Sequence, residues 1–410
     1  MANDKHPDSV GGTIATAITL GVVGLAAVAS IASAALAVVV ARSVVTPPRT
    51  RDEDIRILGS TETSVTLSRT LDSLTPGQYS LWFDQDRGHA RLGEIIAMDV
   101  ASVTRELIAV DFGELSTASR GRFSGWFYLG PTELGFDYTD VHIGTALGDA
   151  PAWLIPAEEV AGEESSGRWV IQVHGRAVRR QETLRAVPVF RAAGYTSLLV
   201  SYRNDGDAPR SADNRYGLGD SEWSDIDAAI DYAAEHGATE IVLMGWSMGG
   251  ATVLQAATRT AHPELISGIV LDSPVVDWVG VLEFQGTSMR IPRPIRRVAL
   301  EVISRKWGSR LTGQAEPINL ARLDWVARSA DLDLPILLLH SADDGYVPAD
   351  GSKALAAARP DIITYDEFTT ARHTKLWNFD APRWNEAISR WLRVLPSAHT
   401  GRSTRRSSAS

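Results

Sequence analysis

Cysteine is absent from all 410 residues, which excludes a disulfide framework, a thiolate zinc site and a cysteine nucleophile. A basic excess is absent too. Forty lysines and arginines are outnumbered by 50 aspartates and glutamates, giving a formal charge of -10 and a pI near 5.4. The basic face that nucleic-acid binding requires is therefore not expected, and no nucleic-acid partner is assigned. Charge of either sign is missing from Val10 through Ala41. What the chain does have is 44% hydrophobic residues against 22% charged, enough to bury a large core and to build one big domain with additions.

The uncharged run from Val10 to Ala41 reads as one transmembrane helix. At 1.5 Å per residue it reaches about 45 Å, more than the ~30 Å hydrocarbon core. Its richness in Ala, Gly, Ser and Thr allows a second reading as a long signal peptide cleaved at Ala32-Ser33-Ala34. The length favours the anchor, and a single-pass cell-membrane protein is expected. Arg42, Arg49, Arg51 and Arg56 follow the span while Lys5 alone precedes it, which would keep the bulk of the chain that follows cytoplasmic. Signal-anchor proteins often do the reverse, so the side is left open.

Four regions are expected: an N-terminal tail and membrane helix (1–45), a linker and small β-rich domain (46–140), a catalytic domain (141–395) and a basic, Ser-rich disordered tail (396–410). In the second, Ser64-Val65-Thr66-Leu67, Tyr79-Ser80-Leu81-Trp82-Phe83 and Trp126-Phe127-Tyr128-Leu129 read as short strands between turns. About 100 residues are too few for a propeller, which needs at least four blades of about 40. Trp126, Phe127 and Tyr128 are assigned to packing.

Beyond the acidic loop Glu158–Gly167 the pattern alternates strand and helix, the mark of a largely parallel sheet with helices on both faces. Strands are expected at 169–173, 195–200, 265–271, 335–339 and 361–368, and a helix at 179–193. Another helix carries Trp223, Ile226, Ile230 and Ala233 on one face with Asp220 as its N-cap, and a last one starts at Pro382. The stretch between Asp272 and Asp333 (about 273–333) is too long for a plain connection and is read as a helical lid. Within it Ile295, Val298, Ala299, Val302 and Ile303 share a face, with Arg293, Arg296, Arg297, Arg305 and Lys306 on the others. Those cations are expected to form a solvated surface, the alternatives being anionic lipid or an acidic substrate.

The chemistry centres on Ile241–Gly250, an apolar run turning through glycines into a helical continuation. Gly245-Trp246-Ser247-Met248-Gly249 fits Gly-x-Ser-x-Gly, in which the glycines let strand and helix crowd together and the serine projects as a nucleophile. Asp343 and Asp344 follow a leucine-rich strand, at the edge where open α/β sheets place their sites, and His373 follows the last strand. The order Ser247, Asp344, His373 is the one expected with this elbow, His373 being the general base and the aspartate its orienting partner. The oxyanion donors are expected to be the backbone N–H groups of Met248 and of Arg176, in the loop after Val173-His174-Gly175. The Arg176 guanidinium is expected to face solvent, the alternative being an acidic group of the substrate, and His174 is read as structural.

The elbow, the His-Gly loop, the His340-x-x-x-Asp344-x-x-Val347-Pro348 segment and the late histidine resemble the α/β-hydrolase fold superfamily of serine hydrolases over roughly Val141–Leu395. The likeness is greatest to bacterial single-pass or secreted members of the prolyl-oligopeptidase-like and serine-aminopeptidase-like groups. Tyr216-Gly217-Leu218-Gly219-Asp220 and Asp272-Ser273-Pro274 add to it. The resemblance implies the α/β-hydrolase fold, and it selects Asp344 as the acid because the family acid lies four residues after this histidine. Ser341 replaces the family glycine, leaving Asp343 as runner-up. The expectation is a serine hydrolase cleaving an ester, thioester or amide through an acyl-enzyme, with a small acyl or peptidyl substrate and neither metal nor cofactor. A small-peptide peptidase and a catalytically silent binding protein on this fold are the alternatives.

Overall fold

The computed structural model describes residues 32–48, 50–158 and 166–396. Two β-structures account for most of the chain. The first is a closed six-stranded barrel made of β1 (Ile55–Ser60), β2 (Ser64–Ser68), β3 (Tyr79–Phe83), β4 (Gly88–Met98), β5 (Ser102–Phe112) and β6 (Arg120–Ser124) in the order β1-β2-β5-β4-β3-β6. Closure removes the open edges of a small sheet, and Val65, Leu67, Leu81, Ala90, Leu92 and Val103 fill the interior. Residues 126–129, expected to be a strand, are irregular instead. Trp126 and Phe127 are buried all the same, so their hydrophobicity reflects packing between segments and not sheet pairing.

Inside the barrel Arg105 is fully buried, with no carboxylate on it among the described residues. It donates to the carbonyls of Ser73, Thr75, Gly77 and Gly93 at 2.6–3.0 Å. Its planar fork thereby pins the 73–77 segment, which leans on the second structure.

The second structure is an eight-stranded sheet. It comprises β7 (Thr139–Thr145), β8 (Gly148–Ile155), β9 (Arg168–Val173), β10 (Thr196–Val200), β11 (Glu240–Trp246), β12 (Ile266–Asp272), β13 (Ile336–Ser341) and β14 (Ile363–Phe368), in the order β14-β13-β12-β11-β9-β10-β8-β7. From β9 to β14 the pairings are parallel, while β8 pairs antiparallel with β10 and β7. Its central strands are hydrophobic at nearly every position because both faces are covered. Ile171 and Leu243 enter one core and Val170, Val242 and Met244 the other.

The helices are α1 (residues 32–45), α2 (Val187–Ala192), α3 (Trp223–Glu235), α4 (Met248–Arg259), α5 (Trp278–Ser288), α6 (Arg293–Ser304), α7 (Lys306–Thr312), α8 (Asp350–Ala358), α9 (Leu376–Phe379) and α10 (Ala381–Val394). The N-terminus of α3 departs from expectation. Glu222 occupies the cap position, while Asp220 accepts from Arg322 of the 313–328 segment at 2.6 and 2.9 Å. In α6 Ile295, Ala299, Val302 and Ile303 are buried as a face. Val298 is exposed, and Arg296, expected among the outward cations, is buried, donates to the carbonyl of Glu283 at 2.7 Å and pairs with its carboxylate at 2.9 Å. A guanidinium on a flexible stem satisfied position 296 where helical spacing alone placed it outside.

Of the expected membrane helix, residues 10–31 lie outside the described residues, as does the tail 397–410. The remainder belongs to α1, whose C-terminal part meets protein. Ala37, Ala41 and Val45 have no solvent exposure and join the main core of the sheet domain. Small residues in this stretch let a helix approach a protein surface closely. No helix among the described residues is long and apolar enough to cross a membrane.

Candidate active site

Ser247 sits between β11 and α4 at φ 50°, ψ −116°, a backbone conformation rarely used by a residue with a side chain. The surrounding packing enforces it. A methyl group on Gly249 would lie 2.2 Å from the carbonyl oxygen of Val173 and 2.5 Å from that of His174, and one on Gly245 would lie 2.4 Å from the carbonyl oxygen of Gly249. These are backbone contacts that cannot move aside, so both elbow positions admit only glycine. The N–H of Ser247 donates to the carbonyl of Asp272 at 3.1 Å, and its own carbonyl accepts from Val275 at 3.1 Å. The turn is thus held from β12 as well as β11.

Three side chains from three strand ends meet at this turn. The Ser247 hydroxyl lies 3.0 Å from His373 Nε2, and His373 Nδ1 lies 2.6 Å from Asp344 Oδ2. With Nδ1–H donating to the carboxylate, Nε2 is free to accept the serine proton. Asp344 is buried, and its Oδ1 accepts from the N–H groups of Tyr346 and Val347, each at 2.8 Å. Burial alone would raise its pKa, but His373 and the hydrogen bond from His340 outweigh that and hold the carboxyl well below the usual carboxylate range.

Asp343 is turned to another task. Its Oδ1 accepts from the Ser341 hydroxyl at 2.7 Å and from the N–H of Arg372 at 3.0 Å. Ser341 also accepts from the N–H of Ala371 at 2.9 Å, so the serine that replaces the family glycine fastens the histidine loop.

The N–H of Met248 opens α4, where the first turn has no intrahelical acceptor. The other expected donor, Arg176 N–H, follows Gly175, whose own N–H is bound to Glu182 at 2.9 Å. A methyl on Gly175 would stand 3.3 Å from Ser247 Cβ, which places this loop directly against the serine. The Arg176 side chain is not free in solvent, contrary to expectation. It donates to the carbonyls of Ser43 and Thr46 at 2.9 and 3.2 Å, closing the C-terminal end of α1. His174 is buried, stacked on Tyr202 and 3.2 Å from Asp205.

Several residues support the three without having been assigned a role from the sequence. His340 Nε2 lies 3.2 Å from Asp344 Oδ2 and 3.0 Å from the carbonyl of Val347, while its Nδ1 faces Ser352 at 2.8 Å. Ser273 accepts from the N–H of Thr374 at 3.1 Å and donates to Asp272 at 2.9 Å. Tyr346, half exposed, has its ring 5.1 Å from the His373 ring. His340 and Ser273 belong to the two short motifs noted in the sequence, while the contact of Ser273 with Thr374 spans 101 residues and that of Tyr346 with His373 joins two loops.

Residues 170–398 match the family described as Alpha/beta hydrolase family. The chain belongs to that family. It is a hydrolase, and the match covers the elbow, both aspartates and the late histidine. Residues 56–124, the barrel, match a family described as a domain of unknown function. No curated protein matches the sequence. Among solved structures, the hydrolase is similar to an esterase of Pyrococcus furiosus at 19% identity, covering 65% of this chain and 95% of that one with a TM-score of 0.49. It is also similar to an esterase from a Rhodococcus species at 20% identity, 63% and 99% coverage and a TM-score of 0.43. A third is Est1E from Butyrivibrio proteoclasticus, at 17% identity, 62% and 97% coverage and a TM-score of 0.46.

Proposed function

We propose that the hydrolase is a serine esterase in which Ser247, His373 and Asp344 form the catalytic triad. One observation carries this reading: the 3.0 Å contact between Ser247 Oγ and His373 Nε2 at a serine held in a forced backbone conformation. Ser247 Oγ attacks the carbonyl carbon of an ester or thioester while His373 Nε2 takes its proton. The negative charge developing on the carbonyl oxygen is received by the N–H groups of Met248 and Arg176. His373 then returns the proton to the leaving alcohol or thiol as the carbonyl–heteroatom bond breaks. Water attacks the acyl-serine with His373 again as base, releasing a carboxylic acid. Asp344 fixes the imidazole tautomer throughout and stays ionised.

Chromogenic esters of short carboxylic acids test this. The folded protein is expected to release the chromophore, and Ser247→Ala and His373→Ala to lose about 10³-fold or more in kcat. Absence of turnover with every ester and thioester in such a panel would overturn the assignment, and hydrolysis of peptide amides in preference to esters would favour the peptidase form.

Membrane attachment rests on the sequence: residues 10–31 carry no charge, and as a helix they would span about 33 Å. We place any anchor there, upstream of the part of α1 that packs on the enzyme. Retention of the protein in membranes after alkaline extraction supports this, and its release argues against it.

A further inference from the structure

We infer that an arginine-lined cleft beside the oxyanion loop binds a phosphate-bearing end of the substrate, so that the hydrolase acts on esters or thioesters whose chain carries a phosphate or diphosphate group. This deepens the esterase reading and rests on it.

The cleft has a volume of about 1030 Å³ and lies where the C-terminal end of α1, the loop after β9 and the segment 204–216 meet. Arg42, Arg51, Arg176, Arg179, Arg210 and Arg215 line it. The carboxylates on its wall are Asp86 and Asp205, and both are engaged: Asp86 with Arg122 at 3.0 Å, Asp205 with His174 at 3.2 Å. Among the described residues, three of the arginines donate to neutral acceptors alone. Arg51 donates to the carbonyl of Ala177, Arg176 to those of Ser43 and Thr46, and Arg215 to those of Thr312 and Asn214. A carbonyl completes the hydrogen bond and leaves the charge uncompensated. Arg179 shares Asp207 with Arg180, and no anionic partner of Arg42 or Arg210 is found among the described residues, both being exposed.

Concentrating cations in this way is costly unless an anion comes. The chain as a whole has a formal charge of -10, so the cleft runs against the net charge and is not a by-product of a basic protein. Burial and the neighbouring Arg122 push the Arg51 pKa down to about 10, the behaviour of a cation short of counter-charge. Arg176 adds a second sign, a buried Nε with no acceptor among the described residues.

Phosphate is the anion that fits. Guanidinium forks pair with its oxygens bidentately, and six arginines exceed what one carboxylate can occupy. The volume accommodates a body as large as a small drug. Pro47, Pro48 and Tyr216 give it apolar wall, with the Tyr216 ring 5.2 Å from the Arg176 guanidinium carbon.

Position ties the cleft to the reaction. Gly175 packs against Ser247, the N–H of Arg176 is the proposed oxyanion donor, and Arg176 with Ala177 forms the cleft wall. One loop therefore touches the reacting carbonyl on one side and the anion on the other. Ser247 itself does not line the cleft, so the substrate's chain must run past Arg176 and Ala177 to bring its carbonyl to the serine.

The test compares S-acetylpantetheine with S-acetylphosphopantetheine, which differ by one phosphate, and uses a neutral chromogenic ester as a gauge of hydrolase activity. Wild type is expected to favour the phosphorylated thioester by about tenfold or more in kcat/KM, chiefly through KM. Arg42→Ala combined with Arg210→Ala is expected to erase that ratio, whereas Arg297→Ala, on an exposed turn of α6, leaves it intact. Inorganic pyrophosphate should inhibit wild type competitively and the double variant about tenfold less well. Equal rates on the two thioesters, or an undiminished ratio in the double variant, would overturn the inference. If no ester or thioester is turned over, the esterase reading fails, and calorimetric binding of pyrophosphate, present in wild type and lost in the double variant, still decides the cleft. Phosphatidate-containing vesicles separate the sources: preference for a vesicle-borne phosphorylated ester assigns the phosphate to a lipid, and preference for the free one to a soluble substrate.

Discussion

At the scale of single residues, the two adjacent aspartates divide the work by what surrounds them. Asp344 accepts from two backbone N–H groups and lies between His340 and His373. Asp343 serves Ser341 and Arg372. Asp344→Asn is expected to lower kcat by about 10³–10⁴-fold, because an amide at Oδ2 disfavours the required tautomer. Asp343→Asn should cost no more than about tenfold, since it loosens the loop without altering the imidazole. Steady-state kinetics on one chromogenic ester distinguish them, and reversed magnitudes would make Asp343 the acid.

The depressed pKa of Asp344 has a definite sign in stability. Its contribution is complete above the unfolded carboxyl value of about 4 and is lost as pH falls toward the folded value. Chemical denaturation across acidic pH should show Asp344→Asn flattening the acid limb of the wild-type curve. Ser247, Asp344 and His373 were legible in the sequence because a local motif, a fixed spacing and chain order mark them. His340 and Ser273 were visible only as members of motifs, and the tasks of Ser341 and Glu182 were not visible at all, since a serine or glutamate looks the same whether it faces water or a loop.

At the scale of elements, the alternation of strand and helix was readable wherever hydrophobic runs are continuous, which is why strands such as Arg168–Val173 and Glu240–Trp246 stand close to their expected bounds. Composition misled where one property serves two environments. Trp126–Leu129 is aromatic because it packs between segments, and at the described end of the Ala-rich stretch Ala37 and Ala41 are buried against the sheet domain. Small, uncharged residues suit a membrane and a tight helix contact equally well.

The docking is open to measurement. Ala41 has no exposed surface, so Ala41→Leu overfills the contact and is expected to destabilise the protein by about 1–3 kcal/mol in chemical denaturation. Were this residue facing lipid, the change would be neutral, and an unchanged midpoint would contradict the packing of α1.

At the scale of the whole molecule, the barrel braces the loop that carries His373. Asp72 pairs with Lys375 at 3.0 Å and Arg372 at 3.4 Å, while Asn378 donates to the carbonyls of Gln78 and Gly125 at 2.8 and 3.1 Å. Arg105 fixes the barrel segment just beyond Asp72. Asp72→Ala is expected to lower kcat on the order of tenfold by releasing the loop, with KM for a neutral ester little changed. A rise in KM at constant kcat would mean that Asp72 acts on substrate binding instead. None of this was readable beforehand, because a surface carboxylate gives no sign of which cation 300 residues away it will meet. The central claim is nucleophilic catalysis by Ser247, and the most direct measurement is reaction of the folded protein with a fluorophosphonate followed by peptide mass spectrometry. The account predicts one covalent adduct, on Ser247, that is lost in Ser247→Ala and strongly slowed in His373→Ala. An unmodified Ser247 in folded wild type, or an adduct that persists in Ser247→Ala, would contradict it.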